Sequence, residues 1–412
     1  MNLIKLKKIT IDKVYFLSFI LFYFLVALFP NNYLTSVIPL IFGFGFFLFF
    51  LFYDGLKINE EKLSSLIAII LFSSISLLYL FFEKGIYVIK EMEFFFFISL
   101  PLMFISSYRL INYEKISFLF KCIVIFCFGQ LLIILGQISK IATGFGLSLP
   151  SSEDGEVSSH TLHMLSGSFS NSNDLASVAV LLGFFLLFIK KYLDYKVTIG
   201  LLIVTLILLL TLSRMAVLCF LLGLFFISKK PLSFKRSLFF ILSILLMFSF
   251  YFYISNNLGV YGFVDRIFIR IQSLAEIFEN GISSDGSVGL RADSYLRFLG
   301  NLDELGFGSM ELRNYREFVK PMTEGMNLMS VNPHSFFVEI GYWMGWPGII
   351  SIFLFFVSFF KRKSKTLDLF FLIFMFLFVS AISSSVINNF ILFFGLFLLL
   401  NLLSSRNRVL NV

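Results

Sequence analysis

Four groups of polar residues interrupt an otherwise apolar chain where charge or proton chemistry can be done. Arg214 stands in Leu212-Ser213-Arg214-Met215 between two apolar runs, so two helix ends would hold a guanidinium at a membrane boundary. A lone arginine there is costly without an anionic partner, although one that snorkels to lipid phosphates satisfies the same placement. Arg291, in Gly289-Leu290-Arg291-Ala292-Asp293, heads a short helical pattern. Its planar fork matches two phosphate oxygens at once, while Asp293, Asp303 or Glu304 offer it an ordinary ion pair. His334, in Asn332-Pro333-His334-Ser335, precedes an apolar run containing Glu339, Gly341, Gly345 and Gly348. Histidine is the side chain best matched to proton transfer near neutral pH, and Pro333 suits a first helical turn. The spacing puts His334 where the chain re-enters a membrane, with Glu339 about one and a half turns further in. The fourth group, Ser166-Gly167-Ser168-Phe169-Ser170-Asn171-Ser172-Asn173-Asp174, precedes another apolar run. Its polar residues either cap that helix through Asn173 or Asp174 or form a loop that contacts substrate.

Metal and disulfide chemistry have less to build on. Cys122, Cys127 and Cys219 all lie inside apolar runs without paired spacing, and the spacing of His160 and His163 supplies two ligands with no evident third. No metal and no cofactor are expected.

The elements that must position these residues are membrane helices. The 412 residues are 58% hydrophobic and 14% charged, where a soluble domain carries about 25% charge. A water-soluble globule is excluded. Each span takes about 20 residues, and apolar runs fall at 14–29, 34–53, 64–82, 92–108, 116–138, 175–189, 197–212, 215–228, 237–254, 335–359, 367–382 and 390–403. The expected fold is therefore an all-α polytopic membrane protein of about 12 transmembrane helices. It divides into 1–254, holding nine spans and a smaller external loop at 139–174; a large external loop at 255–334; and 335–412, holding three spans and a cytoplasmic tail.

Charge supplies the orientation. With the amino terminus inside, 21 of the 33 Lys and Arg residues fall in inner segments and 11 outside, with Lys121 inside the fifth span. The net charge of +8 thus follows the positive-inside rule and implies no nucleic-acid partner. Both termini are expected in the cytoplasm. The lysine cluster before the first span is not followed by a small-x-small cleavage pattern, so that helix reads as retained. Within the large loop, Val264, Ile267, Phe268, Ile271, Leu274, Ile277 and Phe278 recur at helical spacing and predict an amphipathic helix. Leu290, Leu296, Phe298 and Leu299 predict a second, shorter one.

Taken in order, these segments resemble the O-antigen ligase and polymerase family of membrane glycosyltransferases. Gly167-Ser168-Phe169-Ser170-Asn171-Ser172-Asn173 is similar to its Gly-x-Phe-x-Asn-x-Asn motif, and Leu212-Ser213-Arg214 to its span-ending Ser-Arg. Arg291 through Gly306-Phe307-Gly308 is similar to its Arg then Gly-x-Gly stretch. Asn332-Pro333-His334-Ser335 with Glu339, Gly341 and Gly345 is similar to its re-entry segment, with His-Ser where His-Asn is commoner.

The resemblance implies a bacterial inner-membrane enzyme working on the outer face without metal. It would transfer glycan from a polyprenyl (undecaprenyl) diphosphate-linked oligosaccharide to an acceptor hydroxyl on a glycan or lipid-glycan. It implies His334, Arg291 and Arg214 as catalytic residues, and Ser213, Asn171, Asn173 and Glu339 as substrate-binding ones. The arginines would meet the charge that develops on the departing diphosphate. His334 would activate the acceptor hydroxyl or hold the diphosphate. Repeat-unit polymerisation is the leading expectation and ligation of the finished glycan the alternative, with a flippase and a chain-length regulator as further expected partners. The rival from another class is a lipid-linked oligosaccharide transporter, for which repeated halves and broken helices at mid-membrane are the signature and Lys121 the best midplane candidate.

Overall fold

The computed structural model describes residues 60–111, 113–143, 145–147, 165–169, 171–193, 196–211, 213–227, 295–312, 335–360, 366–382, 387 and 389–409, with Ile41, Phe44, Gly45 and Leu48. Among them the chain is helical and has no strand. The helices are α1 (Glu60–Lys84), α2 (Met92–Leu110), α3 (Tyr113–Thr143), α4 (Ser172–Leu193), α5 (Lys196–Leu210), α6 (Arg214–Ile227), α7 (Phe336–Phe360), α8 (Thr366–Ser380) and α9 (Phe390–Val409). They coincide with nine of the predicted spans. Spans 14–29, 34–53 and 237–254 lie outside the described residues or nearly so, as do the amphipathic pattern from Val264 to Phe278 and the pair His160 and His163. Four segments, Lys62–Lys90, Leu119–Lys140, Ser172–Lys190 and Phe336–Phe359, are long and apolar enough to cross a membrane.

The chain divides into two compact units, 1–126 with 301–412, and 127–300. In the first, α1 packs on α2 and α7, α2 on α9, and α8 on α7 and α9. Phenylalanine fills the interior. Phe96 lies edge-on to Phe390 and Phe393 at 5.3 and 5.1 Å, and Phe104 to Phe397 at 5.7 Å. Between helices already in hydrocarbon the solvent supplies little drive, so such packing must supply the association; each aromatic pair contributes about 0.5–1.5 kcal/mol.

In the second unit α4 packs on α5 and α6. Gly183 and Gly223 let α4 and α6 interlock: a Cβ on Gly183 would meet the Phe220 ring, and one on Gly223 the Phe184 ring. Those two rings stack at 6.3 Å.

The helix over the tenth predicted span is broken. Gly345 has φ 58 and ψ −144, which breaks α7. The two arms, 336–344 and 346–360, then fold back on each other. On a continuous helix Phe336 and Phe356 would stand about 30 Å apart, yet both rings lie against Phe376, at 6.2 and 6.1 Å. Ile340 and Gly348 would be about 12 Å apart, but the Ile340 side chain lies 2.8 Å from where a Gly348 Cβ would be. So α7 folds back on itself at Gly345 as a helical hairpin. Its first arm begins beside Phe72, halfway along α1, and rises to its tip beside Tyr79. Periodicity alone could not reveal this, because both arms are apolar and the reversal needs one backbone angle that glycine adopts freely.

Candidate functional site

Two of the sequence motifs, Gly306-Phe307-Gly308 and Gly345, meet at the hairpin tip. Residues 305–310 run against it, and all three carbonyls at the end of the first arm find donors. Ser309 N–H donates to Tyr342 O at 2.8 Å and Met310 N–H to Trp343 O at 3.1 Å. The Tyr79 hydroxyl lies 3.2 Å from Met344 O and 3.0 Å from Phe307 O. In return Trp346 N–H, at the start of the second arm, donates to Gly306 O at 3.0 Å.

This contact is backbone on backbone and requires glycine on both sides. A Cβ on Gly308 would meet Trp343 O, with Gly345 N at 2.6 Å, and one on Gly345 would meet Gly306 O, with Gly308 N at 2.5 Å. Gly306 and Gly308 also have positive φ, 45 and 75. Glu83, one turn beyond Tyr79 on α1, accepts from Leu312 N–H at 2.9 Å and pairs with Lys84 at 2.9 Å. Beside the tip a groove of about 440 Å³ runs between Leu71 and Ile75 of α1 and Trp346, Ile350 and Leu354 of the second arm, with Phe307 at its head.

At the other end of the first arm, Ser335 caps the helix. Its carbonyl accepts from Glu339 N–H at 2.8 Å, and its hydroxyl lies 3.5 Å from Val338 N–H. Ser335 and Glu339 are both buried. The next residue, Phe336, packs its ring against Phe72, halfway along α1, and against Phe376 and Phe393. Glu339 is therefore in the interior of the helical bundle, in an arm that runs back towards the tip. His334 precedes the cap in sequence and lies outside the described residues, as does Arg291.

In the second unit the segment before α4 is a strapped turn. Phe169 N–H donates to Ser166 O at 3.1 Å across Gly167, whose φ is 61. Two glutamines of α3, buried and two turns apart, hold it. Gln137 accepts from Gly167 N–H at 3.1 Å and donates to Gly167 O at 2.7 Å. Gln130 accepts from Ser168 N–H at 3.0 Å and donates to the Ser168 hydroxyl at 2.8 Å.

The cap of α4 is Asn171, not Asn173 or Asp174: its Oδ1 accepts from Asn173 N–H at 2.9 Å and its carbonyl from Asp174 N–H at 3.2 Å. A cap must precede the helix so that its oxygen reaches the second or third amide, and the helix begins at Ser172. Asn171 and Asn173 both remain half-exposed. Ser213 is buried, and its carbonyl accepts from Val217 N–H at 3.0 Å as α6 starts at Arg214. Arg214 thus occupies the first helical position; its side chain lies outside the described residues. A cation does not stabilise a helix amino terminus, so helix stability does not account for Arg214.

Gln130, Gln137, Tyr79 and Glu83 were not found by motif. Their signal was present all the same: polar residues at i, i+7 or i, i+4 on one face of an apolar run. A further buried cluster was also missed. Lys62 Nζ donates to Asn401 Oδ1 at 2.6 Å, Asn401 Nδ2 to Ser107 Oγ at 2.8 Å, and the ammonium lies 5.4 Å from the Tyr108 ring. Lys62 is buried inside the helical bundle.

Comparison of the sequence with protein-family models and with curated proteins gives no match.

Proposed function

We propose that the chain is an integral-membrane glycosyltransferase that moves glycan from a polyprenyl diphosphate carrier to an acceptor hydroxyl, extending a surface polysaccharide by repeat units. The observation that carries the reading is the seating of Gly306-Phe307-Gly308 on Gly345. Two of the motifs on which the family resemblance rests, far apart in sequence, prove to be halves of one backbone contact. In this reading Arg214, assisted by the amide end of α6, and Arg291 receive the diphosphate, and His334 with Glu339 serves the acceptor. The groove beside the tip offers the carrier's tail an apolar wall. Ligation to a final acceptor uses the same chemistry and differs in the acceptor alone.

Transport is the second reading, favoured by one specific observation: a broken helix with a buried acid, Glu339, at mid-depth resembles the coordinating elements of transporters. Against it, the carbonyls at the break, which would coordinate an ion, are already occupied by residues 309 and 310 and by Tyr79. Deletion of the protein followed by analysis of surface glycan length tests the assignment. Single repeats attached to the acceptor indicate a lost polymerase, and long lipid-linked polymer left unattached indicates a lost ligase. Lipid-linked single repeats trapped on the inner face would instead show a lost transporter.

A further inference from the structure

We propose that Tyr79 and Glu83 are positioning residues for this site: together they seat the segment 305–312 on the tip of α7 and so set the arm that begins at Ser335. The inference rests on the proposed function of that site. The two side chains lie at i, i+4 on α1 and therefore on one face. The Tyr79 hydroxyl has a single proton and reaches one carbonyl from each side of the contact, Phe307 O and Met344 O, at 3.0 and 3.2 Å. Its ring meets Trp343 edge-on at 6.2 Å, so the hydroxyl cannot turn away without moving a buried indole. Glu83 holds the far end of the segment through Leu312 N–H at 2.9 Å.

The first arm is a rod of nine residues, about 13 Å long at 1.5 Å per residue, with Tyr79 at its tip and Ser335 at its base. A displacement at the tip therefore reappears at the base, at Ser335, and a 1 Å misplacement of a reacting group can cost on the order of 10²-fold in rate. Tyr79→Phe keeps the ring and removes only the hydroxyl; Glu83→Gln keeps an acceptor and removes the charge. Tyr87→Phe, on the exposed turn after α1, is the control.

Each full-length variant is placed in lipid nanodiscs and measured for amide hydrogen exchange over 305–312, and for kcat and donor KM in glycan transfer. Tyr79→Phe should speed exchange across 305–312 by roughly 3- to 10-fold, the factor for one lost hydrogen bond. It should lower kcat by about 10- to 100-fold with donor KM within about 2-fold. Glu83→Gln should act in the same direction and Tyr87→Phe on neither. Unchanged exchange in both variants overturns the seat, and faster exchange with unchanged kcat overturns the positioning role. If the wild-type chain transfers no glycan, the function assigned to the site falls and the positioning role falls with it; the exchange measurement then decides the seat by itself.

Discussion

Replacing Gly345 with alanine tests the hairpin at the residue on which it turns. At φ 58 and ψ −144 the backbone lies in a region that side chains other than glycine's avoid, at a cost of about 1–3 kcal/mol. The added methyl would also meet Gly306 O and approach Gly308 N to 2.5 Å and Phe307 C to 2.7 Å. These are backbone atoms that cannot rotate aside, and overpacking of this kind costs a further ~1–3 kcal/mol. The sum, about 2–6 kcal/mol, is enough to unseat 305–310 or to straighten α7. Gly306→Ala is the internal comparison. It also carries positive φ, but a Cβ there meets nothing within 4 Å, so only the dihedral cost of about 1–2 kcal/mol applies. The assay is thermal unfolding in detergent, combined with exchange at the amides of Ser309 and Met310. Gly345→Ala should release both amides and lower the midpoint well beyond Gly306→Ala. Equal effects, or a Gly345→Ala protein with both amides still protected, would refute the hairpin argument.

The other predictions concern the strap, the buried lysine and the arginines. Gln130→Leu should destabilise the turn at 166–169 by about 1–3 kcal/mol for each buried donor it strands, read as faster exchange at Ser168. Lys62→Met should lower stability by about 1–3 kcal/mol because the Asn401 carbonyl loses its donor; adding Asn401→Leu should recover part of it, measured as a double-mutant cycle in thermal melts. Arg214→Lys and Arg291→Lys should each impair transfer despite conserved charge, because lysine lacks the fork. The alanine variants should abolish transfer at unchanged protein abundance, and normal glycan from both would remove the diphosphate clamp.

Sequence made the membrane class legible because hydrocarbon admits few solutions: a run such as 175–189 that can bury no charge must be a helix with its amides satisfied internally, and α4 lies there. It located the motif pieces for a similar reason. Gly306, Gly308 and Gly345 are small residues amid bulky ones, and their type marks a close approach without saying to what. The hairpin was hidden because Ile340 and Gly348 fit a continuous helix as well as a folded one until the dihedral at Gly345 is known. The cap of α4 was missed by two residues for a comparable reason: Asn171, Asn173 and Asp174 are all competent caps, and only the strap from Gln130 and Gln137 decides where the helix can start. Lys62 stands near the start of α1, and its burial was not legible because a long side chain there turns inward only when an amide such as Asn401 meets it.

The most direct test of the central claim is transfer by the purified protein in lipid nanodiscs, supplied with a purified polyprenyl diphosphate-linked oligosaccharide and an acceptor glycan, without added metal. The wild-type chain should lengthen the acceptor and release polyprenyl diphosphate. His334→Ala should slow that release by about 10²- to 10⁴-fold, the usual worth of a general base, while melting at the wild-type temperature. No product from the wild-type protein, or a His334→Ala protein that melts early yet transfers normally per folded molecule, would contradict the account.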